Sequence, residues 1–323
     1  MNDVPLTITM AGCGALGSLL AARLLEAGHR VQAFQRRGLQ LQALRENGIT
    51  LEKDRDGATR RYRLHAASDD PAQLAPSRLV IVLVKAYNTA ALEPLGDILT
   101  ADGRVLTLQN GLGNSEVLAG LFGPQRVAAG VATYGAFSIA PGIVGWGGDG
   151  QITIGPWTGG TDVAWITQLL LSAGLQATGV DDPRPAIWTK LAINAMLNTV
   201  TALTGMRNGE VGSNPPALEL MQHLGRETVA AAARAGVPLD YHAIWKLMGE
   251  NLERTAVNRT SMLQDVTAGR RTEIDVISGG VLHYAINDDE FPYTRAVHAL
   301  IRAIDLQAET VGKAVERGCQ RQV

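Results

Sequence analysis

Leu6 to Ala11 (LTITMA) runs directly into Gly12-Cys13-Gly14-Ala15-Leu16-Gly17 and then into a helical pattern from Ser18 to Ala27. No other stretch of the chain narrows the fold as far. A buried strand, a tight glycine turn and a helix, in that order, form the opening unit of a parallel α/β sheet. Gly12 permits the turn, Gly14 lets the backbone approach a pyrophosphate, and Gly17 lets helix and strand pack closely. The helix start then offers unpaired N–H groups to an anion. The segment Gly12, Cys13, Gly14, Ala15, Leu16 and Gly17 is therefore read as a dinucleotide-binding turn. An accidental glycine-rich loop would need neither the strand before it nor the helix after it.

The residues that follow continue such a sheet. Arg30 to Phe34 (RVQAF) reads as a second strand, and its end should meet the adenosine ribose. NAD enzymes usually carry an acid there, whereas this chain has Gln35-Arg36-Arg37. A guanidinium suits a 2′-phosphate through charge-assisted contacts, so NADP(H) is favoured, with Arg36 the better candidate. The bland reading makes one or both arginines ordinary surface charges beginning the next helix. Ile49 to Leu64 alternates around Asp56-Gly57 and is expected to form a hairpin at one edge of the sheet. Arg78 to Val84 is apolar on both faces, as a central strand must be, and it ends at Lys85. Lys85 is a candidate cofactor contact, against the alternative of a simple strand-end charge.

Val105 to Leu108 leads into Gln109-Asn110-Gly111. Asn110 could reach the nicotinamide ribose or the substrate, or could merely stabilise its own turn. Gly130 to Ala136 gives another strand and turn, and Ile143 to Gly155 suggests antiparallel strands closing the sheet. Val163 to Ala173 is helical, and Leu175 to Thr178 is a last short strand. Asp181-Asp182-Pro183-Arg184-Pro185 is the best boundary in the chain, since prolines interrupt regular structure. We therefore expect an α/β Rossmann-type domain over residues 1–182 and an all-α domain over residues 183–323.

Composition fits two domains with real cores, since 46% of the 323 residues are apolar. The formal charge of −2 carries no nucleic-acid or membrane footprint, so a small-molecule ligand is expected. Cys13 and Cys319 define neither a disulfide framework nor a metal cluster. No metal, no membrane partner and no nucleic acid are expected; a homodimer is allowed. The start of the chain lacks a basic leader, and no apolar run could span a bilayer, so an unprocessed cytoplasmic protein is expected.

The second half is helical, with breaks expected near Gly205 to Pro216, Gly236 to Asp240, Asn258 to Gly269 and Asn287 to Pro292. Its opening stretch, Trp188 to Asn198 (WTKLAINAMLN), places Lys190, Asn194 and Asn198 four residues apart. On a helix these share one face over roughly 12 Å, while apolar residues cover the rest. Buried amides and an ammonium are costly unless hydrogen-bonded. Taken alone, the stripe is equally a binding surface or a set of groups satisfied by nearby backbone. Asn208-Gly209-Glu210 and Ser261 to Glu273 are also unusually polar for their surroundings and look like parts of the same site. Glu273 by itself reads as a helix-start acid, favoured by the dipole.

Together these motifs resemble the ketopantoate reductase (2-dehydropantoate 2-reductase) family from Gly12 to about Ile277. The likeness rests on GCGALG (12–17), the arginine after the second strand, VKAYNT (84–89), LQNGLG (108–113), KLAINAMLN, NGE (208–210), SMLQDV (261–266) and RTEID (271–275). The match weakens after Gly280, where Asn287 to Thr294 (NDDEFPYT) departs from the turn expected there. The resemblance implies NADPH-dependent reduction of 2-dehydropantoate to pantoate, a step of pantothenate and coenzyme A biosynthesis, with a 2-oxo acid as the small-molecule substrate. It puts Lys190 in the role of proton donor and Glu273 beside lysine, substrate and cofactor. Asn194, Asn198, Asn208, Asn258 and Ser261 fall on substrate contacts. Gly12 to Gly17, Arg36, Lys85, Asn110, Ala136 and Glu273 fall on cofactor contacts. The competing readings are a reductase of another branched 2-oxo acid, a 3-hydroxyacid dehydrogenase, and a non-catalytic NADPH sensor.

Overall fold

A computed structural model describes residues 5–320, with side chains described to residue 310. The chain divides into two compact units. One holds the residues up to Gln109 together with Gly113–Ala186, and the other holds Asn110–Leu112 together with the residues from Ile187 on.

The first unit begins with β1 (Thr7–Ala11), α1 (Ala15–Glu26), β2 (Arg30–Phe34) and α2 (Leu39–Glu46). It continues through β3 (Ile49–Glu52), β4 (Arg60–Tyr62), β5 (Ala66–Ser68), β6 (Ser77–Val82) and β7 (Leu99–Thr107). Then come α3 (Asn114–Phe122), β8 (Val127–Ala132), β9 (Gly135–Ala140), β10 (Ile143–Gly148), β11 (Ile152–Pro156), α4 (Ala164–Ser172) and β12 (Ala177–Gly179). The main sheet has the order β12-β11-β8-β7-β6-β1-β2-β5. Its ladders are parallel except between β8 and β11.

Alternate residues of the central strands enter opposite cores. Leu79 and Ile81 join Ile8, Met10 and Leu106 on one side, while Val80 and Val82 join Ala11 and Val105 on the other. That two-sided burial is why these strands read as unbroken apolar runs, each large side chain contributing about 1.5–3 kcal/mol.

The residues from 49 to 64 do form a hairpin, with β3 antiparallel to β4, but not at the edge of the main sheet. The hairpin belongs to a second sheet of order β4-β3-β10-β9, in which β10 lies parallel to β3. Of the strands between Ile143 and Gly155, only β11 joins the main sheet, and β10 turns back onto β9. Pairing partners so far apart in sequence leave no local signature, which is why the strands were legible and their sheet was not.

The second unit is helical: α5 (Arg184–Thr204), α6 (Asn208–Gly212), α7 (Pro215–Arg234), α8 (Tyr241–Arg254), α9 (Ser261–Thr267), α10 (Ile274–Leu282) and α11 (Pro292–Gln320). Pro185 does not break α5 but lies in its first turn, where its missing N–H would have had no helical partner anyway. The break expected over Asn258 to Gly269 contains α9, because Thr260 caps it by accepting the Leu263 N–H at 3.2 Å.

α5 organises this unit. Its Trp188, Leu191, Ala195 and Ala202 enter one apolar cluster, and Ala192, Met196, Leu197 and Val200 enter another. A helix with two buried faces can expose only the narrow strip between them.

Candidate active site

The α/β unit holds the cofactor candidates at the carboxyl ends of neighbouring parallel strands. β1 ends in the glycine turn, β2 leads to Arg36 and β6 leads to Lys85. Gly12 has φ +97°, and a Cβ there would lie 2.7 Å from the Val84 nitrogen. A Cβ on Gly17 would overlap the Gly12 carbonyl oxygen. Both positions therefore exclude side chains for reasons internal to the fold. Gly14 differs: it is exposed, and a Cβ there would meet nothing within 4 Å. It stands at the N-cap of α1 with no side-chain cap, so the space and the helix-start N–H groups fit a pyrophosphate.

Two glutamines brace the turn, and sequence reading missed both. Gln35 Oε1 accepts the Cys13 N–H at 2.9 Å. Gln40 Nε2 donates to the Cys13 carbonyl at 2.6 Å, while its Oε1 accepts the Gly142 N–H at 2.9 Å. Cys13 itself is a buried free thiol pushed up to about 12 by burial, so it packs without reacting. The Cys319 side chain lies outside the described residues.

The two arginines after β2 separate by partner. Arg37 Nε pairs with Asp69 Oδ2 at 3.0 Å, whereas Arg36 is exposed with no ion-pair partner among the described residues. Lys85 is half-buried, ahead of a 3₁₀ segment, and its carbonyl accepts the Asn88 N–H at 2.8 Å. Ala15 and Leu16 open α1, and Ala136 sits on β9 opposite Trp146.

The helical unit draws the other candidates into two groups. In the first, Lys190 near the start of α5 faces Glu273, which is 7% exposed at the N-cap of α10. Asn110 Nδ2 donates to Glu273 Oε2 at 3.4 Å, and the Leu112 N–H donates to the Val276 carbonyl at 2.9 Å. Burial pushes the Lys190 ammonium down to about 8, and the Glu273 carboxylate opposes that fall. A lysine so placed can hold a proton at neutral pH and release it easily.

In the second group, Asn208 donates through Nδ2 to Thr255 Oγ1 at 2.8 Å, and its N–H donates to the Asn258 carbonyl at 3.1 Å. Its buried Oδ1 has no hydrogen-bond partner among the described residues. The Thr260 and Thr201 hydroxyls pair at 2.6 Å, tying the start of α9, and hence Ser261, to α5.

α5 links both groups. The buried Thr199 and Thr201 hydroxyls donate to the Ala195 and Leu197 carbonyls at 2.5 and 2.9 Å, so the helix backbone satisfies them. Asn194 and Asn198 make no side-chain hydrogen bond to any described residue, although Asn198 is 7% exposed. The reading in which neighbouring backbone satisfies these amides has no support here.

Residues 8–159 match the family model for Ketopantoate reductase PanE/ApbA, and residues 182–305 match the model for its C-terminal region. This chain belongs to the ketopantoate reductase family. It is accordingly an oxidoreductase, with the Rossmann-type and helical regions expected from its sequence. A 2-dehydropantoate 2-reductase of Halobacterium salinarum is 35% identical over 91% of this chain and 97% of its own. One from Mesorhizobium japonicum is 30% identical over 97% and 99%. Among solved structures, a ketopantoate reductase from Ralstonia eutropha superposes with a TM-score of 0.84 at 28% identity, covering 94% of this chain and all of its own. A D-mandelate dehydrogenase bound to NADH and anilino(oxo)acetate shares the fold, with a TM-score of 0.87 at 22% identity. No described helix is long and apolar enough to cross a membrane, and no group of three potential metal-ligating side chains occurs among the described residues.

Proposed function

We propose that this chain reduces 2-dehydropantoate to pantoate with NADPH, in pantothenate and coenzyme A biosynthesis, and that Lys190 is the proton donor. The observation carrying this reading is the Lys190, Glu273 and Asn110 constellation, in a chain whose relatives bear that activity in their names. Residues 1–182 act as the NADP-binding domain and residues 183–323 as the substrate domain.

The nicotinamide supplies a hydride to the 2-oxo carbon. Everything else falls to the protein. Gly12, Cys13, Gly14, Ala15, Leu16 and Gly17 cradle the pyrophosphate on backbone N–H groups, with Lys85 and Ala136 as further cofactor contacts. Arg36 takes the 2′-phosphate, since Arg37 is engaged by Asp69. Lys190 hydrogen-bonds the ketone oxygen, stabilises the charge that develops there and gives up its proton. Glu273 keeps that ammonium charged against the cost of burial, and Asn110 holds Glu273. Asn194, Asn198, Asn208, Asn258 and Ser261 take the substrate carboxylate and hydroxyl; the unpaired Asn208 Oδ1 is an acceptor for a substrate hydroxyl.

Following NADPH absorbance with 2-dehydropantoate against a panel of 2-oxo and 3-oxo acids tests the proposal. Preference for 2-dehydropantoate is expected. Preference for another 2-oxo acid overturns the substrate assignment, and turnover of none overturns the activity.

A further inference from the structure

Glu273 stands immediately before the first turn of α10, and its side chain does not cap that helix. A frayed helix start would give its carboxylate no fixed place beside Lys190, so something else must hold the turn. The hold comes from α11. Asp305, 1% exposed, accepts the Thr272 N–H at 3.1 Å through Oδ1 and the Thr272 hydroxyl at 2.9 Å through Oδ2. Thr272 Oγ1 in turn accepts the Ile274 N–H at 3.3 Å. One carboxylate thereby fixes groups on both sides of Glu273.

Thr272 and Ile274 are 1% and 0% exposed, so their backbones have little freedom to drift. Asn110 and Leu112 hold the same turn through Glu273 and Val276. Burial pushes the Asp305 carboxyl up against the pull of its bonds to Thr272. A well-packed apolar pair at 272 and 305 would serve stability as well or better, so a buried carboxylate here is poorly explained by stability alone.

We propose that Asp305 is a positioning residue, clamping Thr272 so that the Glu273 carboxylate is held beside Lys190 while Lys190 gives up its proton. This rests on Lys190 being the proton donor. Glu273 is a charged group facing Lys190. Arg302 and Asp275 face Asp305, and Asp275 is itself paired with Arg271, His298 and Arg302.

The test compares kcat, KM for NADPH and the alkaline limb of the pH profile in wild type and D305N. Asn keeps one acceptor oxygen but turns an NH2 group toward the Thr272 donors. In D305N, kcat should fall about tenfold at unchanged KM for NADPH, and the limb should move down by about half a pH unit as Glu273 loses its hold on Lys190. T272V should shift both in the same direction, T272S should restore them, and D305N should move the limb no further in an E273Q background. A D305N enzyme with a lowered Tm but normal kcat and an unmoved limb overturns the proposal. If D305N does not fold, T272V is read in the same way, and an unmoved limb there overturns it. Collapse of kcat in K190A with an unmoved limb in D305N removes the clamp alone. Near-normal kcat in K190A, or no wild-type turnover, removes the donor reading and the clamp with it.

Discussion

At the scale of single residues, Lys190 carries the sharpest expectations. K190A should lower kcat about a hundred- to ten-thousandfold, the range of general acid catalysis, while the Kd for NADPH changes little. A mutant keeping near-normal kcat would sink the assignment. Because burial brings Lys190 down to about 8, reduction should run at full rate below that pH and fall as pH rises through it, when the ammonium loses the proton it must donate. E273Q removes the cause that raises Lys190, so its limb should lie at lower pH than that of wild type. Arg36 offers an independent check. R36A should raise KM for NADPH about tenfold, the size of one charge-assisted contact at an exposed site, and leave KM for NADH unchanged. An equal loss with both cofactors would assign the 2′-phosphate to another group.

Among elements, the glycine turn and the β3–β4 hairpin have separable roles. G17A drives a Cβ into the Gly12 carbonyl, so the helix must move off the strand. We expect weaker NADPH binding by titration together with a lower Tm. The hairpin is held by charge: Asp54, 5% exposed, pairs with the buried Arg23 and accepts from Arg60 at 3.2 Å. Burial works to raise the Asp54 carboxyl, but the Arg23 and Arg55 hydrogen bonds outweigh it and hold it below its ordinary value. Such a group adds stability above the unfolded carboxylate pKa and loses it as pH falls through the lower folded value. D54N should therefore destabilise at neutral pH by about 1–3 kcal/mol in urea unfolding, since it leaves the buried Arg23 guanidinium with Glu26 in place of two carboxylates, and by much less in strong acid. Equal stability of mutant and wild type at neutral pH would refute that view of the pair.

For the whole molecule, the informative segment is Asn110–Leu112, which packs with the helical unit although the chain on either side belongs to the α/β unit. Gly111 has φ +81°, and a Cβ there would lie 2.5 Å from the Val276 carbonyl oxygen. G111A should push this segment off α10, loosen Asn110 from Glu273 and lower kcat more than it raises KM for NADPH. Unchanged kcat would show that the segment has no part in catalysis.

Much of this was legible in the residues themselves. The turn from Gly12 to Gly17, the apolar central strands and the stripe of Lys190, Asn194 and Asn198 follow from short-range geometry, because helical period, strand alternation and glycine turns are set within a few residues. Arg36 was already the better candidate from sequence, but the pairing of Arg37 with Asp69 could be known only from the fold. The sheet that takes the β3–β4 hairpin, the opposition of Lys190 to Glu273, the bracing of the glycine turn by Gln35 and Gln40, and the hold of Asp305 on Thr272 depend on residues distant in sequence. Contacts of that kind are decided by which surfaces the cores bring together, so only the tertiary structure could supply them.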